Sequence, residues 1–525
     1  MTVSSSSSMD HPQLATTNSD LPTTILATVA STHNILLLVL FFFLAYLLKC
    51  IYALFIYPYH VSPLRHLPTP KENHHWLLGQ MITLLSTPWM PYLYREWSRD
   101  CPDAPFLRIL KIGQSETLIP NTITAYREVL QTKNDCFVKS EESRNGAAMV
   151  IGDGLPWAHG DDHRARRAVL NKLFAPQRMK ACVPKIKAKA EQLCRTLAAK
   201  QSVPGDAVTV ETELWKAVLD VGGIKSMGVD LDHLGSDASP LHEIFSATMR
   251  PSIRGHIERW TVTHLPFKQY LPLEAFSEFV RKCATARSVI RKHVQARRRA
   301  VNRGEKARDD ADVLQAMVEA TGLWDDEQVV EYILNFMVLG HDTTACTLVW
   351  ALDTLARRQD IQDRLRKEIN EMEEQSWAEI DRAHFLENFM REVLRVHCPV
   401  GWIPMVAACD VEISGVLVPK NTTLNLCPAM VNLKPEIWGP DAEEFDPDRW
   451  DRLEGEAGSA YAFATFHNGP RVCIGKALTL MELKMVIVEL VSQFKMETDM
   501  EPLGLETPSF TLKPKQTLQL RLFDA

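Results

Sequence analysis

The sequence predicts a mostly α fold with small β-sheets (α+β), preceded by one membrane-spanning helix. Three observations carry this expectation. Helix-period apolar patterns fill most of the chain beyond residue 76. Strand signals are few and short, at Phe106 to Ile112, Val411 to Val418 and Gln516 to Leu522. One apolar run near the amino end, Ile35 to Tyr57, carries Lys49 as its only charge.

Residues 1–34 begin with a Ser/Thr-rich stretch and are expected to form a disordered tail. The run at 35–57 matches the roughly 20 apolar residues that a spanning helix needs. A cleaved signal peptide fits poorly, because no basic region precedes the run and no small-residue cleavage site follows it. A buried core helix fits poorly too, because so uniformly apolar a run sits near the chain start beside the expected tail. Asp10 and Asp20 precede it, whereas Arg65 and Lys71 follow, which places the body on the cytosolic side. Pro58, Pro63, Pro68 and Pro70 then mark a hinge over 58–75, because proline both lacks the amide a helix needs and stiffens extended chain.

The body, 76–525, shows no internal repeat. Helices are expected at Val183 to Ala199, Ala284 to Arg303, Asp326 to Arg358 and Gln362 to Glu374, with an exposed loop at 304–312. Of 525 residues, 46% are hydrophobic, enough for a large core. The net charge of −7 gives no reason to expect a nucleic-acid partner. The 11 cysteines are odd in number and form no CxxC pair, which argues against a disulfide scaffold and for a reducing compartment.

One cysteine stands out. In FHNGPRVCIG (466–475), Gly469 and Gly475 bracket Cys473, with Arg471 two residues before it and an apolar helix after it. The glycines permit a tight turn and close approach to a flat ligand, and the helix directs its positive end at the sulfur. A buried free thiol in a turn is the plain alternative. In LGHDTT (339–344), Asp342 and Thr343 pair an acid with a hydroxyl in mid-helix, the chemistry of proton delivery. Alternatively, the threonine only bonds back to a helix carbonyl. Glu392 and Arg395 share a helix face, as a surface ion pair also would. The stretch from Trp157 to Phe174 reads as a basic helix.

FHNGPRVCIG resembles the heme-binding signature of cytochrome P450 enzymes, F-x-x-G-x-R-x-C-x-G, at every fixed position. The resemblance implies heme as cofactor, with Cys473 as axial thiolate and sole metal ligand, Phe466 packed near it and Arg471 on a propionate. LGHDTT resembles the family's oxygen-activating helix and implies Asp342 and Thr343 as catalytic residues, with Leu339 departing where a small residue is usual. Glu392, Arg395 and Arg449 resemble the family's structural E-x-x-R and its third member. Counting back from Phe174, His163 and Arg167 fall where the family places a Trp and an Arg, and a propionate is implied for both. Many relatives carry a further propionate arginine near Met405, and none is present here.

The resemblance therefore implies a membrane-anchored heme-thiolate monooxygenase acting on an apolar small molecule, in the style of fungal members that tailor terpenoids or polyketides. No flavin, nicotinamide or Fe–S motif occurs in the sequence. Electrons are expected from an NADPH-dependent reductase on the same membrane, implied to be the endoplasmic reticulum. Arg164, Arg166, Arg167, Lys185, Lys187 and Lys189 are candidates for its docking face. Residues Phe137 to Gly154, Arg250 to Phe276 and Val400 to Met405 are candidate pocket walls. Two rivals remain: a heme-thiolate isomerase or dehydratase that needs no reductase, and a non-catalytic heme- or lipid-binding protein.

Overall fold

The computed structural model describes residues 21–203, 205–236, 240–249, 274–305, 312–506 and 511–525. The expectations for residues 1–20, for the loop at 306–311 and for most of the wall at Arg250 to Phe276 lie outside these. The chain divides into two compact units, Met1–Arg65 and His66–Ala525.

In the first unit, helix α1 (Leu21–Ile51) starts within the stretch expected to be tail. Pro22 lies in its first turn, where a missing amide costs nothing. The helix continues through Tyr52–Val61 in wider π-type turns, closed by Ser62 N donating to Tyr57 O at 2.8 Å. Pro58 sits inside this continuation, so the expected hinge does not begin there. The wider turn accommodates the ring that would strike a carbonyl in an α-helix. Asn34–Val61 is long and apolar enough to cross a membrane, and Leu36, Phe41, Phe42 and Leu48 point outward from it.

The second unit is built on helices α2 (Glu141–Ile151), α3 (Gly160–Asn171), α4 (Val183–Ala199), α5 (Glu211–Met227), α6 (Glu274–Asn302), α7 (Asp326–Arg357), α8 (His384–Val396) and α9 (Lys476–Gln493), joined by further helices and loops. Helix α7 opens on a capping box, Asp325 with Gln328, that satisfies amides at its start. Its flanks are apolar nearly all round because α5 and α6 pack along it. Leu348, Leu352 and Leu355 of α7 meet Leu214 and Val218 of α5, Phe389 and Val393 of α8, and Ile487 and Val491 of α9 in one core cluster. Each such side chain contributes about 1.5–3 kcal/mol by leaving water.

Among the described residues, ten strands form three small sheets. The largest has the order β1 (Phe106–Leu110), β2 (Glu116–Pro120), β8 (Thr423–Leu426), β5 (Ile403–Ala407) and β3 (Phe137–Val138). The second joins β4 (Ala207–Thr209), β10 (Gln519–Asp524) and β9 (Phe494–Glu497). The single strand expected at Val411 to Val418 is a hairpin instead, β6 (Val411–Ile413) and β7 (Val416–Val418). Ser414 (φ 48°) and Gly415 (φ 78°) both adopt positive φ, the two-residue turn that reverses a hairpin. Edge strand β3 is held by only two pairs, Phe137↔Ala407 and Val138↔Val406, and leads directly into α2.

Candidate active site

Cys473 lies in the loop that ends at the amino terminus of α9. Its amide donates to Phe466 O at 2.8 Å, closing the loop on the buried Phe466 ring. The amino end of α9, at Gly475 and Lys476, favours a thiolate on this sulfur. Burial still outweighs that effect and raises the thiol above its ordinary range. Protein surrounds Cys473 on all sides, yet its surface remains open. A thiol lining an interior cleft has both properties. Gly469 (φ 69°) is required for packing, since a Cβ there would stand 2.5 Å from Leu130 O. Gly475 has ordinary backbone, and a Cβ would meet Cys473 Sγ at 3.9 Å.

Helix α7 provides another wall of the second unit's interior. Ile474 packs on the same cluster as Ile333, Met337 and Val338 of α7. Gly340, mid-way along this buried helix, is exposed and a Cβ on it would meet nothing within 4 Å. Thr343 Oγ1 donates to Leu339 O at 2.8 Å, the back-bond open to any helical threonine. Asp342 turns away to the carboxyl-terminal strands. It pairs with Lys513 Nζ at 2.7 Å and accepts from Thr511 Oγ1 at 2.7 Å. Each of the two expected catalytic side chains is thus engaged elsewhere. Lys513 had no signal in the sequence, since the pairing spans most of the distance from α7 to the end of the chain.

Cationic side chains gather beside the cysteine loop. Arg471 donates to Ala158 O at 2.8 Å and lies 3.3 Å from His159 Nδ1. Arg167 donates to Val472 O at 2.8 Å and to Asn171 Oδ1. His163 is buried, and burial with Arg471 and Arg167 pushes its pKa down to about 4. The sequence reading missed Lys139 and His159. Burial and then Arg471 lower Lys139 to about 7, and burial with Arg471 also lowers His159. Arg167 and Arg471 are likewise lowered, first by burial. All five are pushed toward their neutral forms, so the set suits a ligand bearing carboxylates. Continuing the register of β3 on β5 places Lys139 opposite Met405, where the expected arginine is missing. A cation from the neighbouring strand answers that departure.

Beneath the loop, Glu392 and Arg395 are fully buried. Arg395 grips Glu392 twice, at 2.7 and 2.8 Å, and donates to the carbonyls of Asn432, Ala442 and Glu444. Arg449 Nε stands 3.5 Å from Glu392 and binds Asp441 more closely, at 2.9 Å. Trp450 Nε1 and the Asp446 amide complete the carboxylate's partners. Asn432 relays this block to the cysteine loop, accepting from Ala464 N and donating to Thr465 Oγ1. The expected docking face is narrower than the sequence suggested. Lys189 is buried among Asp220, Asp230 and Asp232, Arg166 pairs with Asp162 and Tyr332, and Arg164 with Asp161.

Residues 68–520 match the family model for cytochrome P450. The chain is a cytochrome P450. It is 30% identical to cytochrome P450 monooxygenase sphH of Aspergillus fumigatus over 89% of each chain. It is 27% identical to cytochrome P450 monooxygenase FUM15 of Gibberella moniliformis over 86% of each. It is 25% identical to cytochrome P450 monooxygenase ptmK of Penicillium ochrochloron, covering 90% of this chain and 97% of the other. This P450 is accordingly a monooxygenase with a heme-thiolate cofactor, and the cationic set beside Cys473 suits the heme's two propionates.

Proposed function

We propose that this P450 is membrane-anchored by Asn34–Val61 at the endoplasmic reticulum, its second unit cytosolic. There it hydroxylates or oxidises an apolar small molecule of the terpenoid or polyketide kind, with electrons from an NADPH-dependent reductase. One observation supports it above the rest: an exposed cysteine at the amino end of a long apolar helix, with Arg167, Arg471 and Lys139 gathered beside its loop. In this reading Cys473 is the axial ligand, and Arg471, Arg167, His163 and Lys139 hold the propionates. The thiolate-bound iron, once loaded, supplies the electron push that favours O–O cleavage.

The chain's own residues do the rest. Val400, Trp402 and Ile403 are half-buried apolar groups on an expected wall, and Leu339 is half-buried next to Gly340, which favours an apolar substrate. Thr343 holds a hydroxyl in mid-α7 beside exposed Gly340, and moving it off Leu339 O frees it to donate a proton. Asp342 relays a further proton to that hydroxyl only after it leaves its ion pair with Lys513 and takes the proton up from water. Glu392, Arg395 and Arg449 keep the cysteine loop in place.

The test is the reduced, carbon-monoxide-bound spectrum of wild type and Cys473→Ser, followed by turnover with NADPH and reductase. A thiolate-type Soret band only in wild type, with NADPH-dependent product from terpenoid or polyketide substrates, is expected. A histidine-type band, or turnover that ignores NADPH, overturns the reading.

A further inference from the structure

Away from the cysteine loop, three helices converge on one ion pair. Arg287 of α6 holds Glu331 of α7 by two bonds, Nε to Oε1 at 2.6 Å and Nη2 to Oε2 at 2.9 Å. The same guanidinium donates to two carbonyls in the last turn of α2, Met149 O at 2.7 Å and Ala148 O at 2.9 Å. Glu331 in turn accepts from the Asp153 amide at 3.1 Å, just beyond α2. The last four carbonyls of a helix lack partners within it and carry its negative end, so a cation there answers both needs. Arginine has the planar fork to serve a carboxylate and carbonyls at once, and lysine does not.

Helix α2 has little apolar hold of its own. Among its described residues Val150 alone is buried, and Ile151 packs partly on the interior cluster with α7. Its amino end is capped by Ser140, whose Oγ accepts from Ser143 N at 3.0 Å, directly after the two-pair strand β3. Arg144 pairs with Asp153, a contact within the same segment. At the carboxyl end, Asn335 of α7 donates to Ile151 O at 3.0 Å. Gly152 (φ 77°) lies so close to α7 that a Cβ would stand 2.3 Å from Glu331 O, so only glycine serves there. Gly152 is thus a fixed pivot on α7. The Arg287–Glu331 pair beside it is half-buried, with side chains 18% and 23% exposed, and so lies within reach of water.

We propose that Arg287 is a positioning residue for the oxidation, one that with Glu331 latches α2 to α6 and α7 and, on opening, admits an apolar ligand past α2; this rests on the reading above, in which α2 walls the heme cleft. Opening breaks the bonds from one guanidinium to a carboxylate and two carbonyls. Water replaces them, because the pair is half-buried. Helix α2 then swings about Gly152 while Asn335 keeps its last carbonyl on α7. A latch on the path limits entry and exit alike, because both scale with the fraction of open molecules. Loosening it therefore changes rates more than affinity.

Full-length, heme-loaded protein in detergent is mixed with 4-phenylimidazole, an apolar probe whose ring nitrogen binds the iron and shifts the Soret band. The probe needs neither NADPH nor the natural substrate, so failure of the latch leaves the monooxygenase reading standing. Association and dissociation are followed by stopped flow in wild type, Arg287→Gln and Arg287→Lys. In Arg287→Gln both rates are expected to rise together by roughly tenfold or more, the scale of lost charge-assisted hydrogen bonds, with Kd within about twofold of wild type. Arg287→Lys keeps the charge and loses the fork, and is expected to fall between. Amide exchange over 144–153 is expected to quicken in the same order. The thiolate Soret band checks the fold, and Glu331→Gln, which weakens the pair without changing its shape, takes the place of Arg287→Gln if that variant loses the band. Unchanged rates overturn the proposal, whether or not exchange quickens. A weaker Kd at an unchanged association rate reduces Arg287 to a structural prop, and faster rates with unchanged exchange over 144–153 place the moving part elsewhere than α2.

Discussion

Lys513 and Asp342 form an ion pair at 2.7 Å in which both side chains are almost wholly shielded from water. The pair ties the middle of α7 to the last strands of the chain, and its neighbours reinforce it. Thr511 donates to the same carboxylate, while Cys346 and Trp350 of α7 both donate to Leu512 O. Removing only the lysine leaves a buried carboxylate without its counter-ion. Lys513→Met is therefore expected to cost about 3–5 kcal/mol. The double variant Lys513→Met/Asp342→Asn should recover most of that loss, because no charge remains to be stranded. Chemical denaturation of the heme-loaded proteins measures both, and equal losses in single and double variants would contradict the pairing.

The buried Glu392 block makes an ordering prediction. Arg395 has no exposed face and spends its donors on one carboxylate and three carbonyls. Lysine cannot reproduce that planar fork, so Arg395→Lys leaves several acceptors unmet. Arg449 is 3.5 Å from Glu392, and its closer partner, Asp441, is partly exposed. The yield of heme-bound protein, read from the carbon-monoxide spectrum, should fall far more for Arg395→Lys than for Arg449→Lys. The reverse order would assign Arg449 the central role.

The amino-terminal helix predicts a separation. The compact second unit begins at His66, and Asn34–Val61 has the apolar length to span a bilayer. A chain starting at His66 is expected to leave the membrane fraction at high salt while retaining the thiolate Soret band. Continued membrane retention would locate a second lipid contact in the body.

How much of this was legible in the sequence follows the range of each interaction. The cysteine loop, the Glu392/Arg395 face and the long helix α7 depend on residues within a turn or two, and their spacing announces them. Arg449 could be placed because its stretch is similar to the family's. Lys513, Asn432 and Lys139 act across tens to hundreds of residues, through sheet register or chain crossing that no local pattern records. The hairpin at Val411–Val418 was hidden for a local reason, because Ser-Gly is a weak turn signal inside an otherwise β-like run. Pro58 was misread because proline bars the α-helix but not the wider π-type turn.

Lys139 yields a prediction about protons. In the ligand-free protein its pKa lies near 7, lowered by burial and by Arg471 from the ordinary lysine value. Between about 7 and the unfolded value of about 10.4 the unfolded chain binds one more proton than the folded one. Stability without heme should therefore rise with pH across that window, and lie flat on either side of it. A propionate opposite Met405 would reverse the depression and restore the ammonium. Heme binding at pH 8.5 is then expected to take up close to one proton from the buffer, visible as a difference in binding heat between buffers of unlike ionisation enthalpy. At pH 6, where Lys139 is already charged, the uptake at this site should vanish. Lys139→Met should abolish the difference at pH 8.5 and weaken heme retention, while Lys139→Arg should keep the heme and lose the proton uptake. Uptake that persists in Lys139→Met would assign the proton to another group, with His159 and His163 as the nearest candidates.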